Sequence, residues 1–198
     1  KVSDKIKLIY NLLDKVDHLI IGGGMAFTFL QVLKNYNIGN SIFDSEGAKE
    51  IKSIMNKAKE KGVEIHLPID FMTGDDFSEN CKKHYVDEGQ DIPEGYMGLD
   101  IGTKSCMNFG KVLKKAKTIL WNGPMGVFEF ESFSPGTKLI TSKITDVTER
   151  LLASAIIGGG ETATCFKMYA YTTLGVHVST GGGATLSLLE GSILPGID

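Results

Sequence analysis

Cysteine is scarce in this sequence: Cys81, Cys106 and Cys165 are an odd number with no CxxC spacing. That pattern fits a reducing compartment better than a disulfide framework and gives no support to a zinc centre. No apolar run approaches the roughly 20 residues that cross a bilayer, and the first residues carry no signal-peptide pattern. A cytoplasmic protein without membrane contact is the expectation. Basic residues are not concentrated either. The formal net charge is −3, and the densest basic run, Lys111, Lys114, Lys115 and Lys117, is interleaved with apolar positions like a solvated helix face. No nucleic-acid partner is expected.

What is present is an ordinary globular balance, with 42% hydrophobic and 23% charged residues in 198 positions, enough for one substantial core. Helical spacing of Ile6, Leu8, Ile9, Leu12 and Leu13 predicts a helix over 5–13, with Ser3 or Asp4 as its cap. The apolar run 18–21 then reads as a strand, stopped by Gly22-Gly23-Gly24 before a helical pattern over 25–35. A helix over 45–61 ending at Gly62 and a strand over 63–68 follow. The polar stretch 74–95 reads as an irregular or edge-strand excursion. Beyond it come a helix over 105–117, a buried strand over 118–121, a turn-rich loop over 122–128 and a helix over 135–152. A strand over 155–157, a helix through Cys165 to Met168, a strand over 176–178 and a helix over 184–190 complete the pattern. Alternation of this kind predicts an α/β fold, a mainly parallel sheet with helices on both faces in a Rossmann-like three-layer α/β/α sandwich.

Triple glycines stand at 22–24, 158–160 and 181–183, each between a strand and a helix. A helix start without side chains exposes unpaired N–H groups and the positive dipole end, and so attracts phosphate. One copy is as readily explained by close strand–helix packing. Several copies along the carboxyl edge of a parallel sheet can converge on one crevice. None spells GxxxxGK[ST] or GxGxxG, so neither the ordinary P-loop nor the dinucleotide fingerprint applies. Glu161 and Thr162 follow the second triplet. A carboxylate facing phosphate needs an intervening cation, and Mg²⁺ is the oxygen-seeking one. A favourable acidic first turn is the plainer alternative.

These segments carry a family resemblance. KVSDKI at 1–6, IIGGGMAFTF at 20–29, WNGPMGVFE at 121–129, IIGGGETAT at 156–164, HVSTGGGA at 177–184 and LLEGSILPG at 188–196 together resemble, in order, the C-terminal nucleotide-binding domain of the phosphoglycerate kinase family. The resemblance implies reversible phosphoryl transfer between 1,3-bisphosphoglycerate and ADP, giving 3-phosphoglycerate and ATP in glycolysis, with Mg²⁺ and ADP or ATP bound here. It implies that Lys1 contacts the transferring phosphoryl group, with Gly160 and Gly183 at the phosphate-facing helix starts, and that Lys5 lies near the nucleotide phosphates. Gly23, Gly24, Ile42, Met97, Gly98, Leu99, Pro124 and Val127 would line the adenine pocket, and Glu129 would bind ribose. Asn122, Gly159, Thr162, Ser179, Thr180, Gly181 and Gly182 would surround the phosphates, and Glu161 would contact Mg²⁺. His177 is assigned to strand packing, because direct in-line transfer needs no general base.

The pattern departs from the family in two places. Glu161 stands where the family usually has Asp, reaching one methylene further toward the metal. The family's N-terminal domain, which binds 3-phosphoglycerate, has no counterpart here, and the resemblance also leaves out the first strand and the C-terminal tail of the nucleotide domain. Unpaired strand edges are therefore expected, as is little turnover by the isolated chain. A full-length family member is expected to be a monomer. A non-catalytic nucleotide-binding module or a structural remnant of such a kinase stays open, as does an unrelated α/β domain whose glycines only permit close packing.

Overall fold

The computed structural model describes residues 2–179, with 2–4 described by backbone alone. In chain order the elements are α1 (Val2–Leu12), β1 (His18–Ile20), α2 (Met25–Lys34), α3 (Ser45–Ala48), α4 (Ile51–Lys61), β2 (Glu64–His66), β3 (Phe71–Gly74), β4 (Lys83–Val86) and β5 (Met97–Ile101). They continue with α5 (Thr103–Lys115), β6 (Thr118–Asn122), a 3₁₀ turn (Glu131–Phe133), α6 (Pro135–Glu149), β7 (Ser154–Gly158), α7 (Gly160–Tyr169) and β8 (Val176–Ser179). The helix expected over 184–190 lies outside the described residues.

The strands form three ladders. β1 pairs with β2 in parallel, β6, β7 and β8 pair in parallel in that order, and β3 lies antiparallel between β4 and β5. The α/β class, the parallel pairing and an edge strand within 74–95, which is β4, are as the sequence predicts; strands β3 and β5 and their antiparallel pairing are not. β3 and β5 are short and carry Gly74 and Gly98, so neither shows strict alternation; pairing of β3 with both β4 and β5 makes them strands. Register shifts between Met72 and Thr73, where β3 meets β5.

The ladders share three core clusters, with Ile101 of β5 and Ile20 of β1 joining that of β6 and β7. Ile119 and Trp121 of β6, with Ala155 and Ile157 of β7, bury one face against Cys106, Phe109 and Leu113 of α5, Ile140 and Ile144 of α6, and Phe166 of α7. Leu120 and Ile156 point to the other face, as the two-residue strand period requires, and Ile156 stays 39% exposed. β1 and β2 pack with α1, α2 and α4 through Leu13, Ile21, Phe29, Ile51 and Ile54. The antiparallel unit buries Phe71 and Val86 against Phe27 and Leu30 of α2. Buried cysteines are inert here: burial pushes the Cys106 and Cys165 thiols up to about 12.

Several boundaries differ from expectation for identifiable reasons. α1 already includes Ser3 and Asp4, so neither is its cap. The helix expected over 45–61 is two: Asp44 caps α3 through the Gly47 N–H, and i→i−3 bonds at Lys49 and Glu50 tighten the chain before α4. Gly62 ends α4 with φ of 70°, as its position suggests. α6 stops at Glu149 rather than 152, because Leu151 is left-handed with φ of 57°. Lys111, Lys114, Lys115 and Lys117 are all exposed.

Asp70 ties the antiparallel unit to α5. Its carboxylate accepts from the Lys104 and Ser105 N–H groups at 3.0 and 2.8 Å and from the Tyr85 hydroxyl, so a carboxylate from outside the helix caps it while Gly102 stands at the N-cap. A Cβ at Gly102 would lie 2.2 Å from Asp70 Oδ2, which is why glycine is needed there.

Candidate functional site

The parallel register aligns Asn122, Gly158 and Ser179 in one row at the carboxyl ends of β6, β7 and β8. This is the edge of an α/β sheet where ligands bind. Asn122 Nδ2 donates to the Gly158 carbonyl at 3.1 Å, and Trp121 Nε1 donates to the Gly123 carbonyl at 2.7 Å, so the loop after β6 is held on both sides of its first bend. Gly123 takes φ of 105°, a left-handed value that suits glycine. Its N–H donates to Thr162 Oγ1 at 2.7 Å, fastening the loop to the first turn of α7.

α7 starts directly at Gly160, after Gly159 with φ of 94° and no side-chain cap. Its first N–H groups therefore meet no capping side chain, and a Cβ at Gly160 would meet nothing within 4 Å. Glu161 is exposed in the same turn. A helix start of this form favours an anion.

The glycine turn after β1 leans on the same loop. A Cβ on Gly23, whose φ is 64°, would come 3.1 Å from the Pro124 carbonyl oxygen, and one on Gly22 would come 2.5 Å from Met125 Sδ. Gly24 faces Ile42 at 3.5 Å by the same measure. The β5 strand closes the arrangement: the Gly98 N–H donates to Ser41 Oγ at 2.8 Å, and the Leu99 carbonyl accepts the Val127 N–H at 2.9 Å.

One cavity of about 1070 Å³ results. Of the residues singled out from the sequence, Lys5, Gly23, Gly24, Ile42, Met97, Gly98, Leu99, Asn122, Pro124, Val127 and Glu161 line it. Ile42 is an apolar side chain left 67% exposed at its wall. Lys5 Nζ is 3.2 Å from the point where a Gly123 Cβ would stand, which places an ammonium beside the loop. Thr162 is 2% exposed, and its oxygen is engaged by Gly123. Gly159, Gly160 and Ser179 stand next to the lining rather than in it, and Glu129 is exposed on the chain beyond Phe128. Lys1, Thr180, Gly181, Gly182 and Gly183 lie outside the described residues. His177 is in β8, opposite Ile156 in register, but its side chain is exposed rather than packed.

The cavity continues between β1 and β6, whose facing edges belong to different ladders, and there Leu8 and Leu12 of α1 and Ile156 of β7 line it.

Three supporting residues carry no sequence signal of their own. Ser41 holds Gly98, Phe27 lies under Gly98 so closely that a Cβ would come 2.1 Å from the ring, and Thr137 accepts the Met125 N–H at 3.1 Å. Asp100 is detectable in retrospect as an acid in an apolar strand. It is 3% exposed and accepts from the Gly136 and Ile101 N–H groups at 2.8 and 2.9 Å. Burial pushes its carboxyl up to about 7, against those two hydrogen bonds.

Fold and site define a Rossmann-like α/β domain whose glycine turns meet at the carboxyl ends of parallel strands. Comparison with known proteins makes this specific. The phosphoglycerate kinase family profile matches residues 1–192, and the chain belongs to that family. It is 54% identical over all 198 residues to phosphoglycerate kinase 1 of Equus caballus and 54% identical to phosphoglycerate kinase of Gallus gallus. It spans about half the length of these relatives, 47% in each case. The structure of phosphoglycerate kinase from Coxiella burnetii superposes with a TM-score of 0.88 at 39% identity, over 98% of this chain and 49% of that one. That from Pyrococcus horikoshii gives 0.74 at 30% identity, over 98% and 48%.

Proposed function

We propose that the chain is a single domain, the nucleotide-binding half of a phosphoglycerate kinase. In this reading it holds ADP or ATP with Mg²⁺ for reversible phosphoryl transfer between 1,3-bisphosphoglycerate and ADP, giving 3-phosphoglycerate and ATP in cytoplasmic glycolysis. The observation that carries the reading is that the glycine turn after β1 and the 122–127 loop line one cavity, with the start of α7 fastened to that loop through Thr162. Family membership and the half-length match support it, and among the described residues no helix is long and apolar enough to cross a membrane.

Ile42, Gly98, Leu99, Pro124 and Val127 offer the flat, largely apolar slot that an adenine ring needs. Lys5 and the open start of α7 bring positive potential to the phosphate end, with Gly160 close enough in backbone for an oxygen to approach. Lys1 and Gly183 complete the proposed catalytic set, and Thr162, Ser179 and Gly181 the phosphate-binding one. Positioning and charge stabilisation are most of what phosphoryl transfer asks of a protein. Glu161 fits a Mg²⁺ contact, since its exposed carboxylate lines the cavity at a helix start that otherwise favours anions. When bound, Mg²⁺ neutralises phosphate charge. The 3-phosphoglycerate site belongs to the other half of the protein, so the isolated chain binds nucleotide without turning over. The groove between β1 and β6 supports a parallel sheet that takes one further strand between them.

Calorimetric titration with ADP, with and without Mg²⁺, tests this on chain shown to be folded by circular dichroism. Saturable binding strengthened by Mg²⁺, and weakened in Glu129→Ala and Lys5→Ala, is expected. Absence of binding by the folded chain would overturn the reading.

A further inference from the structure

Parallel pairing of β1 with β2 puts His18 opposite Glu64 and Ile20 opposite His66. Successive side chains alternate between faces, so Glu64 and His66, two residues apart, share a face, and His18 joins them from the neighbouring strand. Leu19 and Ile65 take the opposite face and pack into the core with α1, α2 and α4. Three potential metal ligands thus meet on two strands, outside the glycine turns and the 122–127 loop.

Their ligand atoms converge. His18 Nδ1 lies 3.0 Å from His66 Nε2, and Glu64 Oε2 lies 3.4 Å from the first and 3.6 Å from the second. Zn–N and Zn–O bonds of about 2.0–2.1 Å at tetrahedral angles place ligand atoms about 3.4 Å apart, and the observed triangle straddles that spacing. A hydrogen bond between two neutral rings explains the His18–His66 contact alone. It does not explain why the carboxylate oxygen also turns to the same point, where one ring nitrogen must present a lone pair. A single cation satisfies all three atoms together.

We propose that His18, Glu64 and His66 form a divalent transition-metal site of the zinc type. Two imidazoles and one carboxylate favour zinc, cobalt or nickel over Mg²⁺ or Ca²⁺, which prefer all-oxygen shells. The scarcity of cysteine gives no hint of such a centre, because none of its ligands is a thiol. The side chains of His18, Glu64 and His66 are 41%, 69% and 26% exposed, so the ion has a route in and water can take the remaining coordination position. Occupancy would cross-link β1 to β2, which share only the three registered pairs 18–64, 19–65 and 20–66, and would stabilise that ladder, as any ligand confined to the folded state does.

The test is calorimetric titration of the 198-residue chain with Zn²⁺ in excess Mg²⁺, which saturates oxygen-only sites, alongside Co²⁺ titration read by visible d–d absorption. One equivalent of Zn²⁺ is expected, with a rise in melting temperature and a Co²⁺ spectrum of low coordination number. His66→Ala should weaken binding by about tenfold or more. His18→Asn and Glu64→Gln alter more exposed groups that leave the fold intact, and each should weaken it as well. A folded chain that binds no Zn²⁺, or that binds it equally well in His18→Asn and Glu64→Gln, overturns the proposal.

Discussion

Thr162 accepts the Gly123 N–H at 2.7 Å, and this one hydrogen bond fixes the start of α7 against the loop that follows β6. The threonine is buried, so its removal leaves the amide without its partner. Thr162→Ala should cost about 1–3 kcal/mol and Thr162→Ser distinctly less, as measured by urea denaturation. If the loop also shapes a nucleotide site, ADP affinity falls in the alanine variant and is largely kept in the serine one.

Asp100 makes stability depend on pH in a direction opposite to that of a salt-bridged carboxylate. Its folded value, about 7, lies above the ordinary 3.8, so the folded state binds the proton more tightly than the unfolded chain. Its contribution is complete below 3.8 and is lost as pH rises through about 7. The loss amounts to up to about 4 kcal/mol across that window, at about 1.4 kcal/mol per pH unit. Asp100→Asn keeps acceptor oxygen for the Gly136 N–H and should flatten the slope; denaturant midpoints measured at pH values spanning the window check this.

Two glycines separate conformational from steric need. Gly62 has φ of 70° with open space around it, and Gly98 has the Phe27 ring 2.1 Å from where a Cβ would stand. Gly62→Ala should cost about 1–2 kcal/mol through backbone strain alone. Gly98→Ala should cost more, because a ring buried at 4% exposure has to move, and repacking of this kind costs about 1–3 kcal/mol or above. Thermal denaturation of both variants ranks them.

Ile42 separates stability from binding. At 67% exposure it contributes little to the core, so Ile42→Ala should change stability by no more than about 0.5 kcal/mol. ADP affinity should fall severalfold if Ile42 forms one wall of the adenine slot, as isothermal titration would show.

Much of this was legible in the residues themselves. The β1–glycine–α2 and β7–glycine–α7 units stand out because apolar strands, glycine turns and helical periodicity change sharply at 22–24 and 158–160. The lining of the cavity was legible only through family resemblance, since Ile42, Gly98 and Val127 are individually indistinguishable from core or turn residues. β3 and β5 escaped because their glycines and short length hide the two-residue period, and their antiparallel pairing with each other skips over β4 in the chain. The break between α3 and α4 escaped because the apolar spacing runs through it. His18, Glu64 and His66 escaped for a related reason: no local spacing reveals that residues 46 and 48 positions apart are brought together by parallel register.

The separation of the β1–β2 ladder from β6–β7–β8 has a mechanical consequence. Among the described residues no backbone ladder crosses between these two units, and what joins them is side-chain packing, such as that of Ile20 of β1 against the β6–β7 core. The glycine turn of one unit and the 122–127 loop of the other meet at the cavity. Any ligand seated there touches both, and so adds a link across a boundary that no ladder hydrogen bond spans among the described residues.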